Sequence, residues 1–343
     1  MKPLRHLSAA EVMAAMPPLA ERLVLAEKTI RALNRDAEMP PKIGVHPRQT
    51  GSLAHAMPAM LRGGAADGSA DLIGAKWITG FPANPAIGLA TYHALVLLND
   101  PLTGEPLAVM DAGAITAQRT AAISGTAIRH FLPGSVAADG RPVRVAVLGA
   151  GAQARSHIPV IGHLLPGARL RLTDIDSARA TALAAEASTI EGIGSADAVP
   201  GVREAVESAD VVVSLVSFGP DRQALDPAWL APEAVFVAVD YDMQAPAALA
   251  DEALFVVDER DQFLATRSGS TFSGYPDPDA TIGELLRGDV PASGHRAPRP
   301  SVEGTLAGRV LVTHLGVGLA DVVFASAILA RAEQLGLGRL LPR

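Results

Sequence analysis

The string with the most specific chemistry is Gly149-Ala-Gly-Ala-Gln-Ala154. An apolar run, Val143-Arg-Val-Ala-Val-Leu148, leads into it. A helical pattern with Ile158, Ile161, Leu164 and Leu165 on one face comes after it. Strand, glycine turn and helix in that order is the setting of a dinucleotide site. Gly149 permits the tight turn, Gly151 lets backbone approach a pyrophosphate, and Ala154 is small enough for helix to sit on strand. The first helical turn offers unpaired N–H groups to phosphate oxygens. A second apolar run, Arg169-Leu-Arg-Leu-Thr-Asp174, ends in an acid 20 residues beyond Ala154. An acid at that strand tip accepts both ribose hydroxyls of NAD and repels the 2′-phosphate of NADP, so NAD is favoured. Arg179 is close behind and is placed to fold over the adenine or to reach a phosphate. The competing reading is an ordinary Gly-rich βα turn. Pro159, inside the proposed helix, predicts a bend there.

The elements that must carry such a site fit the composition. The 343 residues are 49% hydrophobic and 4% aromatic, enough for two domains with cores of Ala, Val, Leu and Ile. A net charge of −7 gives no basic footprint for nucleic acid. The absence of cysteine excludes disulfides, thiolate metal sites and Cys nucleophiles. No His/Asp/Glu grouping has metal-ligand spacing. Met1-Lys-Pro-Leu-Arg5 resembles a signal n-region, but Glu11 and Pro17-Pro18 interrupt any apolar h-region. No apolar run reaches the ~20 residues of a membrane helix, so the chain is read as cytoplasmic.

Ser8-Ala-Ala-Glu11 predicts a capping box opening a first helix, and Pro18 to Leu33 a second. Pro40 to Pro47 reads as extended, and Ser52 to Met60 as a strand. Asp71 to Thr79 reads as a half-buried strand that places Lys76 among apolar residues. Tyr92 to Asn99 and Pro106 to Asp111, joined by Asp100-Pro-Leu-Thr-Gly104, form a hairpin. Ile115 to Ile128 is a helix of small residues, and His130 to Arg141 a linker. Beyond Asp174 a helix over Ser177 to Ala187 precedes apolar strands at Asp210–Val216, Ala234–Asp240 and Leu254–Asp258. This alternation predicts a doubly wound parallel sheet. Ser268 to Gly304 is Gly-, Pro- and Ser-rich, with a helical piece at Thr281 to Leu286. Gly316 to Leu335 is a strong Ala/Leu helix pattern that crosses back to the first domain.

Several strings, taken together and in order, resemble the ornithine cyclodeaminase/mu-crystallin family, nearest its archaeal-type alanine dehydrogenase branch. They are Pro41-Lys-Ile, Ala56-Met-Pro-Ala59, Gly74-Ala-Lys-Trp77, Pro82-Ala-Asn-Pro85, Pro106-Leu-Ala-Val-Met-Asp111 and Ile115-Thr-Ala-Gln-Arg-Thr-Ala-Ala122. Gly149-Ala-Gly-Ala-Gln153, Ile282-Gly-Glu-Leu285 and Gly316-Val-Gly-Leu-Ala-Asp321 complete the series. The resemblance implies an α/β protein: a Rossmann domain over 131–314, and an α+β substrate-binding and dimerisation domain from 1–130 with 315–343. It implies a homodimer acting on a small amino or imino acid, with no nucleic-acid or membrane partner.

Family members share one intermediate, an imine beside a carboxylate. A guanidinium fork suits that carboxylate because two parallel N–H···O bonds fix place and plane. By resemblance Arg119 is that clamp, Lys76 a catalytic lysine, and Lys42, Thr91 and His55 substrate contacts. Gly149, Gly151, Ala152, Gln153, Asp174, Thr120 and Ser217 would bind the cofactor. Asp242 matches the family's acid/base aspartate. Asp240, where the family more often has a small residue, competes with it. The plainer readings are a solvent-facing helix arginine for Arg119 and a lysine that snorkels outwards for Lys76. His55 stands where the ornithine-cyclising branch has an acid. With Lys42, His46 and Arg48 nearby it makes a poor seat for an ammonium group and suits a small or acidic side chain. His46 and Arg48 on a solvated turn is the alternative. His157 and His314 are expected to be structural or at the cofactor's edge. The function expected is NAD-dependent interconversion of an imino acid and its α-amino acid, such as iminosuccinate/aspartate or alanine. The alternatives are ornithine or lysine cyclodeamination with catalytic NAD, and a mu-crystallin-like ligand-binding protein without turnover.

Overall fold

The computed structural model describes residues 3–64, 71–134, 136, 139–269, 271–289 and 308–343. The start of the n-region, part of the linker after His130, and stretch 290–304 of the Gly-, Pro- and Ser-rich segment lie outside them. The elements begin with β1 (Leu4–Leu7), α1 (Ala9–Ala14), α2 (Leu19–Ala32), β2 (Ala37–Glu38) and β3 (Ile43–Val45). Four longer strands come next: β4 (Leu53–Leu61), β5 (Leu72–Gly80), β6 (Tyr92–Asn99) and β7 (Pro106–Asp111). Then come α3 (Gly113–Phe131), β8 (Arg144–Leu148), α4 (Ala152–Leu164), β9 (Ala168–Thr173), α5 (Ser177–Ala187) and β10 (Ile193–Ala198). After them are α6 (Val202–Val206), β11 (Val211–Ser214), β12 (Val235–Ala238), α7 (Ala247–Glu252), β13 (Leu254–Val257) and α8 (Arg260–Arg267). The last are β14 (Ala280–Thr281), α9 (Ile282–Arg287), β15 (Val310–Thr313), α10 (Gly318–Gln334) and β16 (Arg339–Leu341). Among the described residues no helix is long and apolar enough to cross a membrane.

The chain folds as two compact units, 1–120 with 316–343 and 121–315. They divide inside α3, a single helix that shows no break before Phe131.

In the first unit one sheet has the order β16-β1-β7-β6-β5-β4-β2, with β3 also on β4. The Ser8/Glu11 capping box starts α1. Met57, Lys76, Val96 and Met110 lie opposite one another across β4 to β7, on one face of the sheet. That face is covered by α10. The helix comes close because Gly318 opens it: a methyl there would stand 2.8 Å from the Met57 carbonyl oxygen. The opposite face carries Ile73, Trp77, Leu95 and Leu97, each more than a third exposed.

In the second unit the order is β10-β9-β8-β11-β12-β15-β13-β14, all parallel. Strands β11, β12 and β15 are buried at every position. This is the mark of a sheet covered on both faces, and it explains their continuous apolar runs. The bend predicted at Pro159 does not end α4, which runs through it. β1, β10 and β16 were not legible in the pattern. β10 reads Ile-Gly-Ser-Ala-Asp-Ala, an edge strand with no apolar alternation.

Asp210 staples the entry of β8 to that of β11. It accepts from both Arg141 terminal nitrogens (2.7 and 2.8 Å), from the Arg144 N–H (2.9 Å) and from the Arg144 guanidinium. Burial alone would raise this carboxyl, but the arginine hydrogen bonds outweigh it and hold it at about 2, against 3.8 unperturbed. The stabilisation is therefore complete above pH 3.8 and is lost as pH falls to about 2. Asp210→Asn is expected to cost about 2 kcal/mol at neutral pH. In urea titrations its deficit should shrink toward zero across that acid window.

Candidate active site

The glycine turn in the second unit is built as an anion cradle. Gly149 has φ +98°, and a methyl on it would lie 2.8 Å from the Leu215 carbonyl oxygen. Gly151 caps α4 without a side-chain hydrogen bond, and a Cβ there would meet nothing within 4 Å. The space beside the Gly151 Cα is thus open at the start of the helix. Ala152 is exposed, Ala154 is fully buried, and the Gln153 Oε1 is buried without a hydrogen-bond partner. A phosphate fits this arrangement of backbone donors and small residues. Asp174 stands at the end of β9. One of its oxygens accepts from the Ala150 N–H (2.7 Å) and the other from the Asp176 N–H (2.9 Å). The acid thereby ties the turn to the strand tip and keeps lone pairs for further donors. Arg179, well exposed, lies 3.7 Å from Asp174 and 3.8 Å from Asp176. Ser217 is exposed just beyond β11. Thr120, in the other unit, is buried on α3.

His157 and His314 are both buried and meet on Ser124, whose Oγ is 2.9 Å from one Nε2 and 2.8 Å from the other. The His157 Nδ1 is 2.7 Å from the Gln153 carbonyl, which can only accept. Nδ1 therefore carries the hydrogen, Ser124 donates to the His157 Nε2, and the His314 Nε2 donates to Ser124. Burial pushes His157 down to about 4, so its ring is uncharged at neutral pH. It anchors the first turn of α4 to α3 and to the exit of β15.

Two acids stand just beyond β12, separated by Tyr241 at φ +63°. A tyrosine in the left-handed region is strained. Its ring is clamped edge-on by Phe218 and face-on by Phe272. Asp242 is buried and ion-paired with Arg222, and it accepts from the Phe272 N–H at 2.9 Å. Asp240, also buried, receives a short hydrogen bond from Ser214, while its Oδ1 has no hydrogen-bond partner. Burial pushes the Asp240 carboxyl up to about 7; the Ser214 hydroxyl and the Val216 and Asp240 N–H groups oppose the shift, and Asp242 adds to it.

The first unit supplies the cations. Lys76 and Arg119 are both buried, which excludes the solvent-facing readings. Asp321, on the first turn of α10 and wholly buried, holds them together. Its Oδ2 lies 2.6 Å from the Lys76 Nζ and its Oδ1 accepts from the Arg119 Nε at 3.2 Å. The Arg119 Nη1 is buried and unpartnered. Gly316, at φ +81°, lies over the guanidinium, where a Cβ would come within 2.4 Å of that nitrogen. Burial pushes Lys76 down to about 7; Asp321 opposes this, and Arg119 and Lys42 reinforce it. His55, on the same sheet face as Met57, is driven to about 4, first by burial and then by Lys42, His46 and Lys76. It is a neutral imidazole at neutral pH. Thr91 is half-buried before β6, and among the described residues no hydrogen bond ties its hydroxyl to this cluster. Its carbonyl accepts from the Phe81 N–H at 2.8 Å.

Asp321, Ser214, Ser124 and Arg222 were not picked out as site residues from sequence. Each is far along the chain from its partner. Only Asp321 had a local signal, as the acid closing Gly316-Val-Gly-Leu-Ala-Asp321. Asp321→Asn would leave the buried Arg119 without its carboxylate and Lys76 without the acid that supports its charge, and is expected to cost about 3–5 kcal/mol in equilibrium unfolding. Adding Lys76→Met should recover part of that loss.

The family model described as ornithine cyclodeaminase/mu-crystallin family matches residues 7–302. The nodulation efficiency protein NfeD of Rhizobium meliloti is 30% identical over 345 residues, covering 99% of this chain and 98% of NfeD. Two solved structures share the fold. The Thermococcus litoralis Δ1-pyrroline-2-carboxylate reductase, in complex with NADH and L-proline, superposes with a TM-score of 0.80 at 21% identity, over 98% of this chain and 100% of that one. An archaeal alanine dehydrogenase dimer with bound NAD gives 0.78 at 24%, over 99% of both chains. Matched over most of its length by the family model and end to end by a relative, this chain belongs to the ornithine cyclodeaminase/mu-crystallin family.

Proposed function

We propose that the protein is an NAD-dependent oxidoreductase that interconverts an imino acid and its α-amino acid. The observation that carries this reading is the buried Arg119 Nη1 without a partner, on a guanidinium that shares a single carboxylate with Lys76. Such a site has unspent positive charge and a free guanidinium edge, which a substrate carboxylate would complete. Arg119 and Lys76 hold that carboxylate, and Lys42 adds to the field. Thr91 is assigned a weaker contact on family resemblance.

Gly149, Gly151, Ala152 and Gln153 would hold the pyrophosphate of NAD, Asp174 the adenosine ribose, and Thr120 and Ser217 the remainder. When bound, the nicotinamide supplies or accepts the hydride. Carboxylate clamping fixes the imine carbon in place, and this positioning is expected to supply much of the rate. The Asp240–Asp242 pair manages the proton, with Asp242 at the position that matches the family's acid/base residue. Lys42, close to the neutral His55, disfavours an ammonium side chain and favours a small or dicarboxylic substrate, such as alanine or aspartate. We assign the exposed apolar face of Ile73, Trp77, Leu95 and Leu97 to a homodimer contact, in keeping with the dimeric alanine dehydrogenase that shares this fold.

Steady-state assays with 2-oxo acids plus ammonia or methylamine, run in parallel with NADH and NADPH, test the reading. NADH oxidation is expected with at least one of them, and Arg119→Lys should lower kcat/KM roughly 100-fold. No NADH oxidation with any substrate would overturn it, and ammonia release from ornithine without net NADH change would replace it with cyclodeamination. Trp77→Asp is expected to yield a monomer in sedimentation velocity runs.

A further inference from the structure

Strands β8, β9 and β10 differ from the wholly buried β11, β12 and β15. On β9 the exposed Arg169 and Arg171 alternate with the buried Leu170 and Leu172, so both arginines lie on one face. The register continues that face sideways. Arg144, Arg169 and Ser195 form one row across the three strands, and Ala146, Arg171 and Asp197 form the next. In β10 the pairing shifts at Gly194, which sets Ser195 opposite Arg169. A methyl on Gly194 would stand 2.6 Å from the Gly167 carbonyl oxygen, so the shift needs a glycine. The element over this face is α6, five residues long, whose Ala205 shares a core cluster with Ala146. A cavity of about 400 Å³ is left beside it, lined by Arg144, Arg169, Arg171, Ser195, Asp197 and Glu207 among others. That is the size of a small-molecule pocket.

The charges around the cavity do not cancel one another. Arg144 is committed to Asp210. Glu207 pairs along α6 with Arg203 at 4.0 Å. Arg171 donates to the Glu204 and Glu207 carbonyl oxygens at 3.0 and 3.4 Å, both from one terminal nitrogen. Those neutral acceptors fix the guanidinium without cancelling its charge. Among the described residues the side chains of Arg169 and Asp197 have no hydrogen bond or ion pair. Two cations and one anion on a single sheet face are thus left for a ligand. Each guanidinium fork matches a carboxylate, and an aspartate accepts from an ammonium. We propose that this cavity is a second ligand site, which binds a dicarboxylic α-amino acid with its carboxylates on Arg169 and Arg171 and its ammonium on Asp197. Ser195, beside Arg169, adds a hydroxyl. The site is separate from the glycine turn: Arg169 precedes Asp174 by five residues of β9, roughly 16 Å of extended chain. It lies wholly within the second unit, and Lys76 and Arg119 take no part in it.

Isothermal titration calorimetry with L-glutamate tests the site. The full chain carries Arg119→Lys throughout, which weakens the proposed substrate clamp and leaves the cavity untouched. L-Glutamate should bind this parent chain, and adding Arg169→Gln should weaken it roughly 10-fold or more. Adding Asp197→Asn should weaken L-glutamate to a similar degree and leave glutarate, the same dianion without the ammonium, no weaker than before. Arg169 and Asp197 are exposed and their side chains are unpartnered, so both variants should keep the parent urea midpoint, which separates lost binding from lost fold. The proposal is overturned if L-glutamate does not bind at millimolar concentration, or if Arg169→Gln binds it as tightly as the parent. It is equally overturned if Asp197→Asn leaves L-glutamate binding unchanged or weakens glutarate as much. These readings need no turnover. A chain that oxidises no NADH would defeat the imino acid reading and leave this site standing.

Discussion

One buried carboxylate organises the first unit. Asp321 sits between Lys76 and Arg119, all three out of water. Such a group is not there for stability. Taking charges from water costs several kcal/mol per ion, and well-packed apolar side chains of similar volume usually do as well or better. What the arrangement does provide is geometry. The close seating of Gly318 on Met57 brings the first turn of α10 down onto the sheet at the Met57–Lys76 pair. Asp321 can then orient a lysine from a strand and an arginine from a different helix. One anion is shared by both side chains, and burial holds Lys76 at about 7, so the group gains positive charge when Lys76 takes up its proton.

The second unit solves a related problem with backbone. Its parallel sheet places the turns after β8, β9, β11 and β12 at one edge, where ligands of doubly wound sheets bind. The turn after β8 is fixed from three directions: Leu215 presses against Gly149, Asp174 holds the Ala150 N–H, and the Ser124–His157–His314 chain holds the Gln153 carbonyl. A turn held this way would lose little entropy on binding a phosphate. The strain at Tyr241 belongs to the same edge, and its clamped ring keeps two neighbouring acids facing different partners.

Local features were legible in the sequence and long-range partners were not. The Gly149 turn, the Asp174 strand tip, the Tyr92–Asp111 hairpin and the Ser8 capping box are each written within a few residues, because sterics and periodicity act over that range. The burial of Lys76 could be read from the apolar residues around it. Its partner could not, since Asp321 lies 245 residues away. Arg222 and Ser214 were invisible for the same reason. The edge strand β10 was missed because a strand with half its surface in water needs no apolar alternation. The choice between Asp240 and Asp242 stayed open in sequence because two acids two residues apart look alike until their neighbours are known.

Three of the buried polar atoms left without hydrogen-bond partners fall where chemistry has been proposed. Native structures satisfy nearly all such atoms, so each exception needs a reason. The Arg119 Nη1, the Gln153 Oε1 and the Asp240 Oδ1 are among them. They fall on the residues to which a carboxylate, a nucleotide and a proton have been assigned. A fold selected for stability alone would have paired or removed them. A fold that must receive an anion, a dinucleotide and a proton has to leave those positions incomplete, and it accepts the lost stability at the places where ligands complete them.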